Sequence, residues 1–152
     1  MLSFKITITG IDRVIQQLDS TREVLTDLYP EWQIVGDYLV NFFSNDVFET
    51  EGSVFGEPWA DLSPSYAIWK GKNYPGRGIL ERTGTLRYGF IAQPSSNFLI
   101  IANNTPYGAA LQMPKKSNMP ARVFMRIDSE RADIINNLIL ESLNQRISDS
   151  IG

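Results

Sequence analysis

The sequence contains neither cysteine nor histidine. Without cysteine there is no disulfide and no thiolate metal site, so the chain is compatible with a reducing compartment. Without histidine it lacks the commonest general base and the commonest metal ligand, and serine–histidine or cysteine–histidine nucleophilic pairs are impossible. Both absences argue against an enzyme. We predict no catalytic residues, no cofactor, no metal and no small-molecule substrate.

Long apolar runs and phosphate-binding motifs are missing as well. No apolar run approaches the length that spans a bilayer, and Met1 leads into a strand-like segment instead of a signal peptide, so we expect no membrane partner. Neither GxGxxG nor GxxxxGK[ST] occurs. The acids of residues 46–61 could form a metal or glycosidase-like pair, but their spacing matches no metal-binding loop.

Charge is distributed unevenly along the chain. The formal net charge is −3, yet residues 1–61 carry −8, residues 62–126 carry +8 with Glu81 as the single acid, and residues 127–152 carry −3. Two explanations stay open: the segments neutralise one another within a monomer, or opposite charges meet between copies. A third use of the basic middle is nucleic-acid binding through cations interleaved with aromatics, although a pI of about 4.9 argues against an autonomous binder.

The length of 152 residues fits a single domain, and we predict one over residues 1–152 with a long loop or arm at 52–78. Apolar residues at helical spacing predict helices over residues 11–28, from Pro30 to about Glu49, and from Asp128 or Ser129 towards the end of the chain. The arm is rich in proline and glycine, and we expect a one- to two-turn helix inside it, capped by Ser63 and stopped by Gly71.

Alternating residues predict a small antiparallel sheet. The strands are expected at residues 3–9, 86–93, 98–103 and 121–127, with Pro-Ser-Ser-Asn as the turn of a hairpin. A further short helix is expected after Thr105. Two N-terminal helices, one C-terminal amphipathic helix and a sheet segregated from them predict an α+β fold with a long extended loop.

Two stretches of the arm region have the features of an anchoring device. Trp59 and Leu62 can fill an apolar pocket while nearby prolines stiffen the chain. Thr83-Gly84-Thr85 supplies a turn that needs a permissive backbone before a strand begins at Leu86. These features predict that the arm is pinned to the domain.

The same stretches belong to a series of four motifs. They are W-x-x-L-S-P-x-Y from Trp59 followed by Lys70, I-L-x-x-T-G-x-L at 79–86, N-x-x-P-Y-G-A at 103–109 and P-A-R-x-F at 120–124. In this order, and followed by an amphipathic helix, they resemble the phage virion morphogenesis family, the tail completion or neck proteins of tailed bacteriophages. Where that family commonly has Tyr-Ala-x-x-His-Gln-Phe-Gly, this chain has residues 107–114 without the histidine or the final glycine.

The resemblance implies a non-enzymatic virion protein of the head–tail junction, made in the host bacterial cytoplasm. Copies would form a ring around the DNA path, with other neck, head-closure and tail proteins as partners and DNA passing through without specific binding. Acids such as Asp37 or Asp46 would line the lumen, and Trp59 and the 70–78 loop would lie at a subunit contact. The motif and contact candidates are Trp59, Leu62, Tyr66, Lys70, Lys72, Arg77, Leu80, Thr83, Gly84, Leu86, Tyr107, Gln112, Pro120, Arg122 and Phe124.

Two alternatives to this function stay open. One is a tail terminator that caps the tail tube. The other, of a different class, is a DNA-binding accessory protein of a mobile element.

Overall fold

The structure is a computed structural model that describes residues 1–9, 22–114 and 118–151. It confirms the α+β prediction, with helices beside a small three-stranded antiparallel sheet. The strands are β1 (Leu2–Thr7), β2 (Phe90–Pro94) and β3 (Phe98–Asn103), in the order β1-β3-β2. The helices are α1 (Arg22–Thr26), α2 (Tyr29–Asn41), a π-helical turn (Phe42–Asp46), α3 (Val47–Glu49), a 3-10 turn (Ser53–Phe55), α4 (Pro64–Asn73), α5 (Gly108–Gln112) and α6 (Ser129–Ile151).

The chain forms two compact units, each built from separate segments. The motif unit comprises Met1–Leu2, Val40–Ile91 and Ala102–Arg126, and it contains the four sequence motifs. The helical unit comprises Ser3–Leu39, Ala92–Ile101 and Ile127–Gly152. Most of the predicted first helix, residues 11–28, lies outside the described residues, and α1 is the helical part that the structure describes.

The second predicted helix is confirmed from Tyr29 to Glu49, with Pro30 in its first turn. It is not uniformly α-helical, because a π-helical turn separates α2 from α3. A π turn holds more residues than an α turn and rotates the residues that follow it. The predicted apolar stripe is at most 2% exposed throughout: Trp32, Val35, Leu39, Phe42, Phe43 and Val47.

The helical unit is held by α6, which packs against α1. Asp128 caps α6 as predicted, since its Oδ1 accepts the main-chain N–H of Arg131 at 2.8 Å. Glu31, fully buried, accepts hydrogen bonds from Ser142 Oγ at 2.8 Å and Arg146 Nη1 at 2.6 Å. In the same unit α2 approaches β2 closely, because a Cβ added to Gly36 would lie 2.8 Å from the Cβ of Ala92.

The hairpin turn is confirmed, with the main-chain N–H of Ser95 donating to the Phe98 carbonyl at 2.8 Å. The strand predicted from residue 86 is wrong at its start, since β2 begins at Phe90. The preceding residues form a turn in which the N–H of Tyr88 bonds to the Gly84 carbonyl at 3.0 Å. The Leu86 carbonyl accepts a hydrogen bond from Asn103 Nδ2 at 2.8 Å, so its partner is a side chain and not a neighbouring strand.

The strand predicted at 121–127 is also wrong, because the segment has no regular secondary structure and joins no sheet among the described residues. Instead, the side-chain amide of Gln112 forms hydrogen bonds with the main chain of this segment. Gln112 Nε2 donates to the Met125 carbonyl at 2.7 Å, and its Oε1 accepts the N–H of Met125 at 3.0 Å. One side chain therefore replaces a neighbouring strand over these residues.

Two short helices differ from prediction at their ends. Helix α4 continues past Gly71 to Asn73, whose side-chain amide donates to the Trp69 carbonyl at 2.7 Å. Ser63 occupies its N-cap position but makes no side-chain capping hydrogen bond. Helix α5 begins at Gly108, because the Thr105 hydroxyl bonds to the side chain of Asn103 and does not cap a helix.

Candidate functional site

The four motifs converge on one groove of the motif unit, with a volume of about 370 Å³. We call it the motif groove. Each motif contributes to its lining, although the motifs are spread over residues 59–124 of the sequence. The predicted residues that line it are Leu62, Tyr66, Lys70, Leu80, Thr83, Gly84, Leu86, Tyr107 and Arg122.

Trp59 and Arg122 tie the first and last motifs together. The buried indole of Trp59 donates from Nε1 to the Val123 carbonyl at 2.7 Å. In return, Arg122 donates from Nε to the Ala60 carbonyl at 2.9 Å and from Nη2 to the Asp61 carbonyl at 3.0 Å. Each segment thus supplies a donor side chain to the main chain of the other. This pair of clamps confirms that the arm is pinned, and it pins the arm to its own unit.

Behind the groove lies an aromatic core. Trp59 packs edge-on against Phe48 with ring centroids 5.3 Å apart, and Phe124, fully buried, lies 6.1 Å from Phe90. Gln112 fixes the main chain at Phe124 and Met125 as described above. Trp59, Gln112 and Phe124 therefore position the groove without lining it. Because Trp59 is only 6% exposed, it has little surface to offer a neighbouring subunit.

The second motif turns the chain sharply at the groove. Gly84 has a φ of 84°, which confirms the need for a permissive backbone there. Leu80 has a φ of 62°, which is rare for a bulky residue and costs about 1–3 kcal/mol where it occurs. The hydroxyls of Thr83 and Thr85 lie 2.9 Å apart and bond to each other. The motif thus presents a fixed, strained turn to the groove.

Three cationic residues line the groove: Lys70, Arg82 and Arg122. Lys70 is only 4% exposed and its ammonium donates to the Gly78 carbonyl. Burial lowers the pKa of Lys70, an effect that the charges of Glu81 and Glu51 oppose and that of Arg122 reinforces. Arg122 is 8% exposed, whereas Arg82 is exposed. The groove is therefore strongly cationic, with part of its charge withdrawn from water.

Glu81, the single acid of residues 62–126, is already engaged outside the groove lining. Arg87 Nη1 donates to Glu81 Oε1 at 2.7 Å, and Arg87 Nε donates to the Ser44 carbonyl at 2.7 Å. The hydrogen bond with Glu81 raises the pKa of Arg87. Glu51 is likewise used, since its Oε1 accepts the N–H of Ile79 at 2.9 Å. These contacts shape the second motif, and neither carboxylate forms an ion pair with a groove cation, although the charges of both act on Lys70.

An exposed aromatic ladder borders the groove along α4. Tyr66 stacks on Trp69 with centroids 5.5 Å apart and an interplanar angle of 23°, and Trp69 contacts Tyr74 at 5.8 Å. The guanidinium of Arg82 lies 5.9 Å from the Tyr74 ring centre. Tyr66 and Trp69 share one face of the helix and are 39% and 43% exposed.

The remaining predicted residues lie elsewhere. Lys72, Arg77 and Pro120 are exposed and do not line the groove. Three lining residues, Arg82, Thr85 and Leu111, are not among the motif and contact candidates. Arg82 and Thr85 occupy variable positions of the second motif, so the motif specifies only the residues next to them. Leu111 stands where the resembling family commonly has histidine, so no residue of the family pattern marks this position.

The described residues hold no cluster of three or more acids that could bind a metal ion. Within the same ranges, no helix is long and apolar enough to cross a membrane. The groove offers hydrogen-bond donors, cations and apolar contacts, which suit binding of an extended or acidic partner. In comparisons with protein-family models, with curated proteins and with solved structures, nothing matches this chain.

Proposed function

We propose that this chain is a non-enzymatic structural protein of the bacteriophage head–tail junction, where copies associate into a ring that joins or completes the tail around the DNA path. The observation that carries the proposal is the convergence of all four motifs on one groove. Their resemblance to the phage virion morphogenesis family otherwise rests on sequence alone. Motif residues that are distant in the sequence would share a function if together they build one contact surface.

The chemistry of the groove supports contact over catalysis. The described lining residues include no carboxylate, the sequence has no histidine, and the two threonine hydroxyls are engaged with each other. A nucleophile and its activating base are therefore hard to assign here. What the groove does carry is arginine, tyrosine and leucine, and arginine and tyrosine are residue types that dominate the energetics of protein interfaces.

The uneven charge supports contacts between copies. Among the ion pairs of the described residues, Arg87–Glu49 alone joins the basic middle of the sequence to its acidic first segment, and its atoms are 3.4 Å apart. Within the described ranges, close ion pairs between these two segments therefore account for little of the polarity. A ring requires head-to-tail contacts between different surfaces of identical copies, and such contacts would bring the opposite charges of the two segments together.

The test is deletion of the coding sequence from the phage or prophage that carries it, with complementation by the wild-type gene. We expect separate heads and tails by negative-stain electron microscopy, and joined particles when the gene is restored. Purified particles should contain the protein at the neck, by antibody labelling. Normal infective particles without the gene would overturn the proposal. Retention of the purified protein on DNA at physiological salt would instead favour the DNA-binding alternative.

A further inference from the structure

We propose that Lys70, Arg82 and Arg122 form a receptor in the motif groove for an exposed acidic side chain of a second copy of the chain. The inference rests on the proposed function, because it names the partner of the same groove. It goes further in assigning the contact to three cations and to a carboxylate, which neither the motifs nor the charge pattern specify.

The charge balance of the groove is incomplete within one copy. Among the described residues, no carboxylate lies within ion-pairing distance of Lys70, Arg82 or Arg122. Lys70 and Arg122 are each more than nine-tenths buried, and their hydrogen bonds go to neutral main-chain carbonyls. Glu81 and Glu51 offset part of the charge of Lys70 from beyond that distance. Buried cations without a paired anion are destabilising, so a carboxylate arriving from outside would relieve the part of that cost that remains.

The donors of the groove are only partly used. An ammonium has three N–H donors, and Lys70 makes one hydrogen bond, to the Gly78 carbonyl. A guanidinium has five, and Arg122 donates through Nε and Nη2 to two carbonyls. Both residues therefore retain donor capacity. Hydrogen bonds from such groups to a carboxylate are roughly twice as strong as neutral ones.

A second copy can supply the anion. Six acids are exposed and have no ion pair or side-chain hydrogen bond in the part of the chain that the structure describes. By contrast, Glu49 and Glu51 are engaged by Arg87 and Ile79. These six residues, the uncommitted acids, carry the negative charge that the groove lacks. They are Asp37, Asp46, Glu57, Asp61, Asp133 and Glu141.

Nucleic acid fits the same surface less well. Stacking of bases needs free aromatic faces. Here Tyr66 and Trp69 stack on each other, and Trp69 also contacts Tyr74, which Arg82 approaches from 5.9 Å. The ladder is therefore self-stacked. With two of the three groove cations buried, the surface offers a pocket for one anionic side chain better than a track for a phosphate backbone.

The experiment measures self-association of the full chain by native mass spectrometry and analytical ultracentrifugation. Arg82→Glu reverses an exposed charge of the groove, and Arg82→Gln removes it with less risk to folding. Lys72→Glu and Arg77→Glu are the comparison variants, because both residues are exposed but do not line the groove, and impairment by them would assign the contact to the 70–78 loop that the sequence analysis predicted. Circular dichroism confirms that each variant is folded.

We expect the wild type to self-associate and Arg82→Glu to weaken this by about tenfold or more, since close charge pairs contribute strongly to association. Both comparison variants should associate like the wild type. Arg82→Glu is then mixed in turn with a lysine substitution at each of the six uncommitted acids. Restored mixed assembly with one of these partners supports the proposal.

Any of these outcomes in the assembly experiment would overturn it: a monomeric wild type, an Arg82→Glu variant that assembles normally, comparison variants that are impaired equally, or no rescue by any of the six partners. DNA retention by the wild type that Arg82→Glu abolishes would also overturn it. Failure here is distinguishable from failure of the proposed function. If the gene deletion separates heads from tails while Arg82→Glu assembles normally, only the receptor is wrong.

Discussion

Trp59, Gln112 and Arg122 have polar side chains that bond to the main chain of sequence-distant segments. Trp59 donates to the Val123 carbonyl and Arg122 returns two hydrogen bonds to Ala60 and Asp61. Sequence analysis could nominate these residues because Trp59 and Arg122 belong to the first and fourth motifs and Gln112 to the segment 107–114 compared with the resembling family. It could not tell a residue that lines a surface from one that supports it, since that depends on which carbonyls lie within reach after folding.

At the residue scale, Lys70 predicts how stability depends on pH. Burial lowers the pKa of Lys70 below the ordinary value of 10.5 in the folded chain, while the unfolded chain keeps that value. Between the two pKa values the unfolded state binds more protons, so the free energy of unfolding should rise with pH across this window. Below the window, the full cost of the buried charge remains.

Lys70→Met should lose this dependence. We expect the stability of the wild type, relative to Lys70→Met, to increase as pH rises towards 10.5, measured by urea unfolding at several pH values. Lys72→Met is the matched control, because Lys72 is exposed on the same helix. A constant difference between wild type and Lys70→Met over the whole alkaline range would contradict the assignment.

At the scale of elements, periodicity in the sequence predicted the helices and strands that depend on a single segment of the chain. The buried stripe from Trp32 to Val47 and the hairpin of β2 and β3 follow from local pattern and turn chemistry. The strand predicted at 121–127 failed because its alternation is real but its partner is a side chain, Gln112. The π-helical turn was not predicted either, because Leu39, Phe43 and Val47 follow one another at intervals of four residues, which an uninterrupted α-helix would also show.

Two glycines beside the 3-10 turn allow a matched test of how the arm is anchored. Gly52 and Gly56 have φ values of 82° and 93°, so alanine is strained at either position. A Cβ at Gly52 would also lie 2.5 Å from the Trp59 indole, whereas nothing lies within 4 Å of one at Gly56.

We expect Gly56→Ala to cost about 1–2 kcal/mol, from backbone strain alone. Gly52→Ala should cost about 1–3 kcal/mol more, because the indole must move. Chemical denaturation measures both, and tryptophan fluorescence should shift only for Gly52→Ala. Equal losses of stability in the two variants would mean that the Trp59 indole can move away without loss of stability.

At the scale of the whole molecule, two tryptophans have separate roles. Trp59 is 6% exposed and hydrogen-bonded within its unit, while Trp69 is 43% exposed at the edge of the groove. Sequence analysis placed Trp59 at a subunit contact because the motif centres on it. The exposed surface suggests Trp69 as the contact, and burial, which decides between them, is a property of the folded chain.

Trp59→Ala should therefore destabilise the chain by about 3–5 kcal/mol, as expected for a large buried side chain. Trp69→Ala should cost about 1 kcal/mol from its lost ring contacts, yet weaken self-association. Thermal unfolding and sedimentation velocity separate the two effects. Self-association that survives Trp69→Ala unchanged would remove the aromatic ladder from the interface.

The close approach of α2 to β2 links two positions far apart in the sequence. With only 2.8 Å between a Cβ at Gly36 and that of Ala92, neither side chain can grow unless the helix and the strand separate. We therefore expect the two positions to covary as a small–small pair among relatives, even where the motifs have diverged. Such a pair is a marker by which distant kin of this chain could be recognised.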